Sequence, residues 1–151
     1  LYLFRGLPTS GKTSAAYDLV GKENTFAADD YFYEKAQKEF PNLPADEGYC
    51  KAFDLYKSKL WLAHKMCQDR LKKAMKNGVE HLAVANTSVN ASDVNTYRKI
   101  AEEFGYRFVS MVVEKYHEGD NGHRVPEHVK ENMQKKFSIK LYNKTTNLNI
   151  K

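Results

Sequence analysis

The chain has 151 residues, 42% of them hydrophobic and 28% charged, with a formal net charge of +5. That length suits one domain with one core, and no apolar run approaches the roughly 20 residues that a membrane-spanning helix needs. Cys50 and Cys67 make neither a disulfide framework nor a metal-spaced set, so a reduced, cytoplasmic setting with no membrane partner is expected. The basic balance reads either as a solvated surface or as attraction to polyanions such as nucleotides and nucleic acid.

In chain order, LYLFR (1–5) reads as a short buried strand, too short an apolar stretch for a secretory signal. A glycine-rich turn follows, then a helix over SAAYDLV (14–20). TFAA (25–28) reads as a second strand running into Asp29 and Asp30. The stretch from Pro41 to Gly48 carries two prolines and reads as a loop. From Phe53 to about Asn77 there is no Pro or Gly, and apolar residues at 53, 56, 60, 67, 71 and 74 form a helical stripe, stopped by Gly78. HLAVA (81–85) is the third expected strand. Ser92 is the expected cap of a helix running to Phe104 and ended by Gly105, and RFVSMVV (107–113) is the fourth strand. Residues 114–126 read as a polar loop, Pro126 opens a last helix to about Phe137, and the tail 138–151 is expected to be loosely held. Strands alternating with helices predict an α/β fold: a parallel sheet of four or five strands flanked by helices, in a single domain spanning 1–151.

Gly6 to Thr13 reads GLPTSGKT, the spacing G-x-x-x-x-G-K-T, set between an expected strand and an expected helix. Each residue type has a physical task there. Glycines let the backbone turn tightly enough for successive N–H groups to point at phosphate oxygens. The helix N-terminus adds partial positive charge. Lys12 brings an ammonium to the β- and γ-phosphates, and the Thr13 hydroxyl is a ligand for a Mg²⁺ ion bridging them. The expected nucleotide-binding set is Gly6, Pro8, Thr9, Ser10, Gly11, Lys12, Thr13 and Ser14, with Thr13 as metal ligand. The expected cofactors are ATP, or another nucleoside triphosphate, and Mg²⁺.

Asp29 and Asp30 follow the second strand, which puts both at the carboxyl edge of the sheet, where ligands bind in open α/β folds. One suits accepting the proton of a hydroxyl as it attacks a γ-phosphate. Asp30 equally suits capping the helix that begins at Tyr31. The third strand ends in Asn86-Thr87-Ser88, where the neutral Asn86 could hydrogen-bond a metal-bound water. His64, on the apolar stripe of the long helix, is either a core histidine or a group that orients Asp29. Tyr31, Phe32 and Tyr33 either stack on the bases of a single strand, worth roughly 1–3 kcal/mol per base, or pack in the core. Asp30, Tyr31, His64, Asn86 and Thr87 therefore form a second group of candidates, for contact with the acceptor or support of the site.

The order GLPTSGKT, ADDYF, GY…FD, AHKMC, VANTS and HRVP resembles the kinase domain of phage polynucleotide kinases. It is similar still more to the small Nedd4-binding-protein-like and phage P-loop kinases, over roughly residues 1–137. The resemblance implies a P-loop NTPase fold of the nucleotide-kinase type and Mg²⁺-dependent transfer from ATP. It implies the 5′-hydroxyl of single-stranded RNA or DNA as acceptor, as in nucleic-acid repair. It maps the general base to Asp29, the phosphate-binding side chains to Lys12 and Thr13, and a lid to about 115–126, where Arg124 is the candidate for the catalytic lid cation and His123 beside it joins the nucleotide-binding set. The chain departs from the pattern at Phe32, where the family carries a basic acceptor-binding residue, at Asn86, where it carries Asp, and at Asp120-Asn121, where related lids read Arg-Asn. The alternatives are a kinase for a nucleoside or other small hydroxyl compound, and an ATP-hydrolysing module that regulates a partner.

Overall fold

A computed structural model describes residues 1–116 and 125–139. Strand β1 (Tyr2–Arg5) leads through α1 (Lys12–Val20), β2 (Thr25–Phe26), α2 (Asp30–Glu39), α3 (Ala45–Tyr56) and α4 (Leu60–Lys76) to β3 (Ala83–Ala85), then α5 (Ala91–Glu103), β4 (Val109–Val112) and α6 (Glu127–Lys136). The strands form one sheet in the order β2-β3-β1-β4, with every neighbouring pair parallel. The described residues thus adopt the expected α/β architecture, a four-stranded parallel sheet flanked by helices. Among the described residues no helix is long and apolar enough to cross a membrane.

Both faces of the central strands are covered, which is why LYLF and LAVA read as continuous apolar runs. Leu3 and Val84 turn to one face and pack with Cys67 and Leu71 of α4 and Tyr97 and Ile100 of α5. Phe4, Ala83 and Ala85 turn to the other face and pack with Ala16 of α1. A separate aromatic cluster joins α2, α3 and the start of α4 through Phe32, Tyr49, Ala52 and Ala63. Register places Phe4 opposite Ala85 and Met111, so β1 ends level with its neighbours and opens into the loop that begins at Gly6.

Several elements differ from the expectation, each for a local reason. The second strand stops at Phe26 because side chains take the next two amides: Asp30 Oδ2 accepts from the Ala27 N–H at 3.0 Å, and Asn86 Oδ1 from the Ala28 N–H at 2.9 Å. The expected loop up to Gly48 already becomes α3 at Ala45, with Pro44 at the N-cap. Gly48 sits inside that helix, where a Cβ would lie 3.2 Å from Ala36 Cβ, so its bareness permits a close approach to α2. The single helix expected over 53–77 is two helices divided by a 3₁₀ turn at Lys57–Lys59. Phe53 and Tyr56 serve the aromatic cluster while Cys67 and Leu71 serve the sheet, and the turn re-aims the chain between these two cores. The fourth strand is Val109–Val112 rather than 107–113. Gly78 and Gly105 are helix stops as expected, both at φ 75°.

The N-cap of α5 is Asn90, not Ser92. Asn90 Oδ1 accepts from the Asp93 amide at 3.0 Å and Asp93 Oδ2 accepts from the Asn90 amide at 3.3 Å, a reciprocal capping box. Ser92 only donates its hydroxyl to Asn90 Oδ1. Asn90→Ala should therefore destabilise the protein by about 1 kcal/mol, and Ser92→Ala by less than about 0.5 kcal/mol, compared through urea midpoints. The opposite ranking would return the cap to Ser92.

Candidate active site

The loop between β1 and α1 is built around its own lysine. The Gly6 amide donates to the Thr87 carbonyl at 3.2 Å and Ser10 N–H to the Leu7 carbonyl at 3.2 Å, which closes the turn. A side chain at Gly6 has no room: its Cβ would run into the Val113 carbonyl oxygen and sit 2.8 Å from Ser10 Oγ. Thr9 and Gly11 take positive φ, 64° and 93°; for Thr9 that is a strained backbone of the kind concentrated at ligand sites. The N-terminus of α1 has no side-chain cap and no acidic residue in its first turn. Among the described residues the amides of Lys12, Thr13 and Ser14 find no partner. Thr13 and Ser14 are exposed, and Pro8 and Thr9 are half-buried on the rim. Unsatisfied N–H groups at the positive end of a helix have the physical character that favours anions.

Lys12 is only 9% exposed, and its Nζ donates to the Leu7 carbonyl at 2.7 Å and to Ser10 Oγ at 3.5 Å. Burial lowers the ammonium to about 8 from 10.5, against the opposing pull of the Asp29 charge. Lys115, on the segment after β4, donates to Thr9 Oγ1 at 3.2 Å from the other side of the loop.

The two carboxylates of the sheet edge are separated by their surroundings. Asp29 occupies the N-cap position of α2 and is exposed, but its side chain makes no cap bond. Its Oδ1 instead accepts from the Tyr49 hydroxyl at 2.8 Å. Asp30 is the first residue of α2 and turns back to the Ala27 amide. Burial raises its carboxyl, partly offset by that amide and by Arg70. The helix therefore begins at Asp30 rather than Tyr31, and Asp30 pins the corner while Asp29 faces outward.

The remaining candidates divide in the same way. Asn86 is buried and its amide is engaged inside the fold: Oδ1 by Ala28, and Nδ2 donating to Tyr97 Oη at 2.9 Å and toward Cys67 Sγ at 3.8 Å. Thr87 contributes its carbonyl to Gly6. Tyr31 and Phe32 are core residues, edge to face at 5.2 Å, and Phe32 has no exposure at all. The base-stacking alternative thus finds no free ring in either, and Tyr33 is half-buried against Tyr49, with ring centroids 4.7 Å apart. His64 is half-buried on α4 and makes no hydrogen bond among the described residues, whereas Asp29 is bonded by Tyr49. Arg124 and His123, and with them Asp120 and the centre of the expected lid, lie outside the described residues, as does most of the tail.

Two participants were not singled out from the sequence. Tyr49 lay in the GY of what read as a loop edge. Arg5 ends an apolar strand directly before the glycine turn, and that charge in such a run was the available signal. Its guanidinium, 6% exposed, donates to the Ser88 carbonyl from Nε at 3.0 Å and from Nη2 at 2.7 Å, reaches the Val89 carbonyl at 3.2 Å and lies over the Phe137 ring at 4.7 Å. It holds Ser88 at φ 43° and thereby the backbone whose Thr87 carbonyl anchors Gly6. No protein-family model matches the chain.

The Lys12 ammonium is charged below about 8 and neutral above it. Affinity for tripolyphosphate should accordingly be greatest near neutrality and fall, by at most about tenfold per pH unit, as pH rises through that value. Calorimetry in parent and Lys12→Gln checks this, since the variant should bind weakly and lose the pH dependence. The linkage to folding runs the other way. The folded value lies below the unfolded 10.5, so between about 8 and 10.5 the unfolded chain holds the extra proton, and the contribution of Lys12 to stability grows with rising pH.

Proposed function

We propose that this protein is a P-loop phosphotransferase that moves the γ-phosphoryl group of ATP, or of another nucleoside triphosphate, to a hydroxyl acceptor. The observation that carries this reading is the uncapped N-terminus of α1 folded around a buried Lys12 that feels the charge of the exposed Asp29. The motif order, and the resemblance to the polynucleotide kinases that rests on it, supports the same reading. It favours the 5′-hydroxyl of RNA or DNA as acceptor.

The residues divide the work by chemistry. Backbone amides of residues 12–14 and the Lys12 ammonium receive the triphosphate oxygens, and the ammonium exchanges its internal bond to the Leu7 carbonyl for a phosphate oxygen. Asp29 accepts the acceptor's hydroxyl proton as the new O–P bond forms and the bond to the β-phosphate oxygen breaks, and later releases that proton to solvent. No group of three or more acidic, His or Cys side chains suited to a metal occurs among the described residues. Mg²⁺ is usually held by one or two protein groups together with substrate phosphates. We assign the exposed Thr13 hydroxyl as its protein ligand, and the ion would neutralise charge on the β- and γ-oxygens.

Labelled ATP incubated with 5′-hydroxyl oligonucleotides, nucleosides and small sugars tests the reading. Lys12→Ala should abolish transfer with an unchanged circular dichroism spectrum. Asp29→Asn should lower kcat by roughly 10²–10⁴, the usual size of general-base loss, and leave ATP affinity near the parent's. Asp30→Asn should be milder, because an amide oxygen still accepts from Ala27. Full turnover in Lys12→Ala, or inorganic phosphate as the sole product across the panel, would sink the proposal.

A further inference from the structure

We propose that Tyr49 is a positioning residue for the base: its hydroxyl holds one oxygen of the Asp29 carboxylate so that the other is presented to the acceptor. The inference rests on the phosphotransferase reading above. It begins from an irregularity at the start of α2. An Asp at an N-cap ordinarily turns its carboxylate back onto the amides of the first turn. Asp29 does not: the amides of Phe32 and Tyr33 bond to its backbone carbonyl, at 2.9 and 3.1 Å, and its side chain makes no cap bond. The carboxylate points instead to α3, where Tyr49 donates to Oδ1 at 2.8 Å.

The phenol is delivered by a rigid support. Gly48 lets α3 close on Ala36 of α2, and the Tyr49 ring is 8% exposed between Phe32, Phe53 and Tyr33, at centroid distances of 6.1, 6.1 and 4.7 Å. A short carboxylate on an exposed helix end would otherwise sample several rotamers. One fixed donor removes that freedom and assigns the two oxygens different tasks, Oδ1 to the phenol and Oδ2 to the substrate proton. Burial, and after it the Asp29 charge, push the phenol far above its ordinary range. Tyr49 therefore stays protonated and remains a donor throughout, never a competing base. Pre-organising a catalytic group in this way acts on the chemical step and not on nucleotide binding.

Tyr49→Phe keeps the ring and deletes only the hydroxyl. Against the best acceptor of the panel, its kcat should fall about tenfold, the scale of one hydrogen bond to a charged group, with KM for ATP within about twofold of the parent. In an Asp29→Asn background the same change should cost less than about twofold, since the group being positioned is no longer a base. A purely structural tyrosine would cost the same factor in both backgrounds, and that result overturns the proposal. A second readout needs no turnover. In protein labelled with ¹³Cζ-tyrosine, the resonance missing from Tyr49→Phe identifies Tyr49, and it should shift on Asp29→Asn. An unmoved resonance means that the bond is absent in solution, which also overturns the proposal. A parent that transfers phosphate to nothing removes the phosphotransferase reading instead, and a shifted resonance would then leave the bond itself in place.

Discussion

The bond from the Ala28 amide to Asn86 Oδ1, at 2.9 Å, is the constraint on which the working edge of the sheet depends. It ends the β2 ladder, so the chain leaves the sheet at Phe26 and turns into α2 with Asp29 at the corner. The Nδ2 of Asn86 donates to the Tyr97 hydroxyl on α5, and the adjoining Thr87 carbonyl receives the Gly6 amide. One buried side chain thus ties together β2, β3, α5 and the turn into the loop. Its polar atoms are all engaged within a region of low exposure, where leaving a donor unpaired costs about 1–3 kcal/mol. An ionised carboxylate at this position could accept from Ala28 but would need the Tyr97 hydroxyl to reverse and donate, whereas the neutral amide serves both groups as they stand.

The electrostatics of the edge follow from depth. Lys12 is drawn into its own loop and loses hydration, which weakens its hold on a proton, while Asp29 remains at the surface. The helix end beside Lys12 carries no side-chain cap and no acidic residue in its first turn. α5 presents the contrasting case in the same molecule. Its first turn is closed by a capping box with an acidic residue, so its dipole is already satisfied. The difference between the two helix ends is one of composition: glycine and lysine at one, asparagine and aspartate at the other.

Arg5 extends the same framework toward the C-terminal helix. A buried guanidinium is costly unless its donors are matched, and here the Ser88 and Val89 carbonyls and the face of Phe137 serve it. The Ser138 amide also reaches the Val89 carbonyl, so the end of α6 is fastened to the loop after β3. The loop between β1 and α1 is therefore braced from behind through Thr87, while its outer rim, at Thr9, is met by Lys115 from the segment after β4.

The sequence by itself determined the architecture and the loop. Short apolar runs alternating with helical stripes permit little other than a parallel sheet covered on both faces. GLPTSGKT was legible because glycine conformations and a helix start are local properties, although distant groups such as the Thr87 carbonyl complete its turn. The glycine stops at 78 and 105 were legible for the same reason. What the sequence left open was decided by contacts distant along the chain. Asp29 and Asp30 are adjacent and alike in sequence, and only Tyr49, from another helix, and the Ala27 amide tell them apart. The break at Lys57–Lys59 carries no Pro or Gly, because its cause is the existence of two cores that one straight helix could not serve. Periodicity reports which residues are buried but not in which core, and hydrogen bonds between side chains far apart in sequence leave no periodic trace. Tertiary structure alone brings a tyrosine to a carboxylate, because that pairing depends on where two helices meet and not on any spacing along the chain.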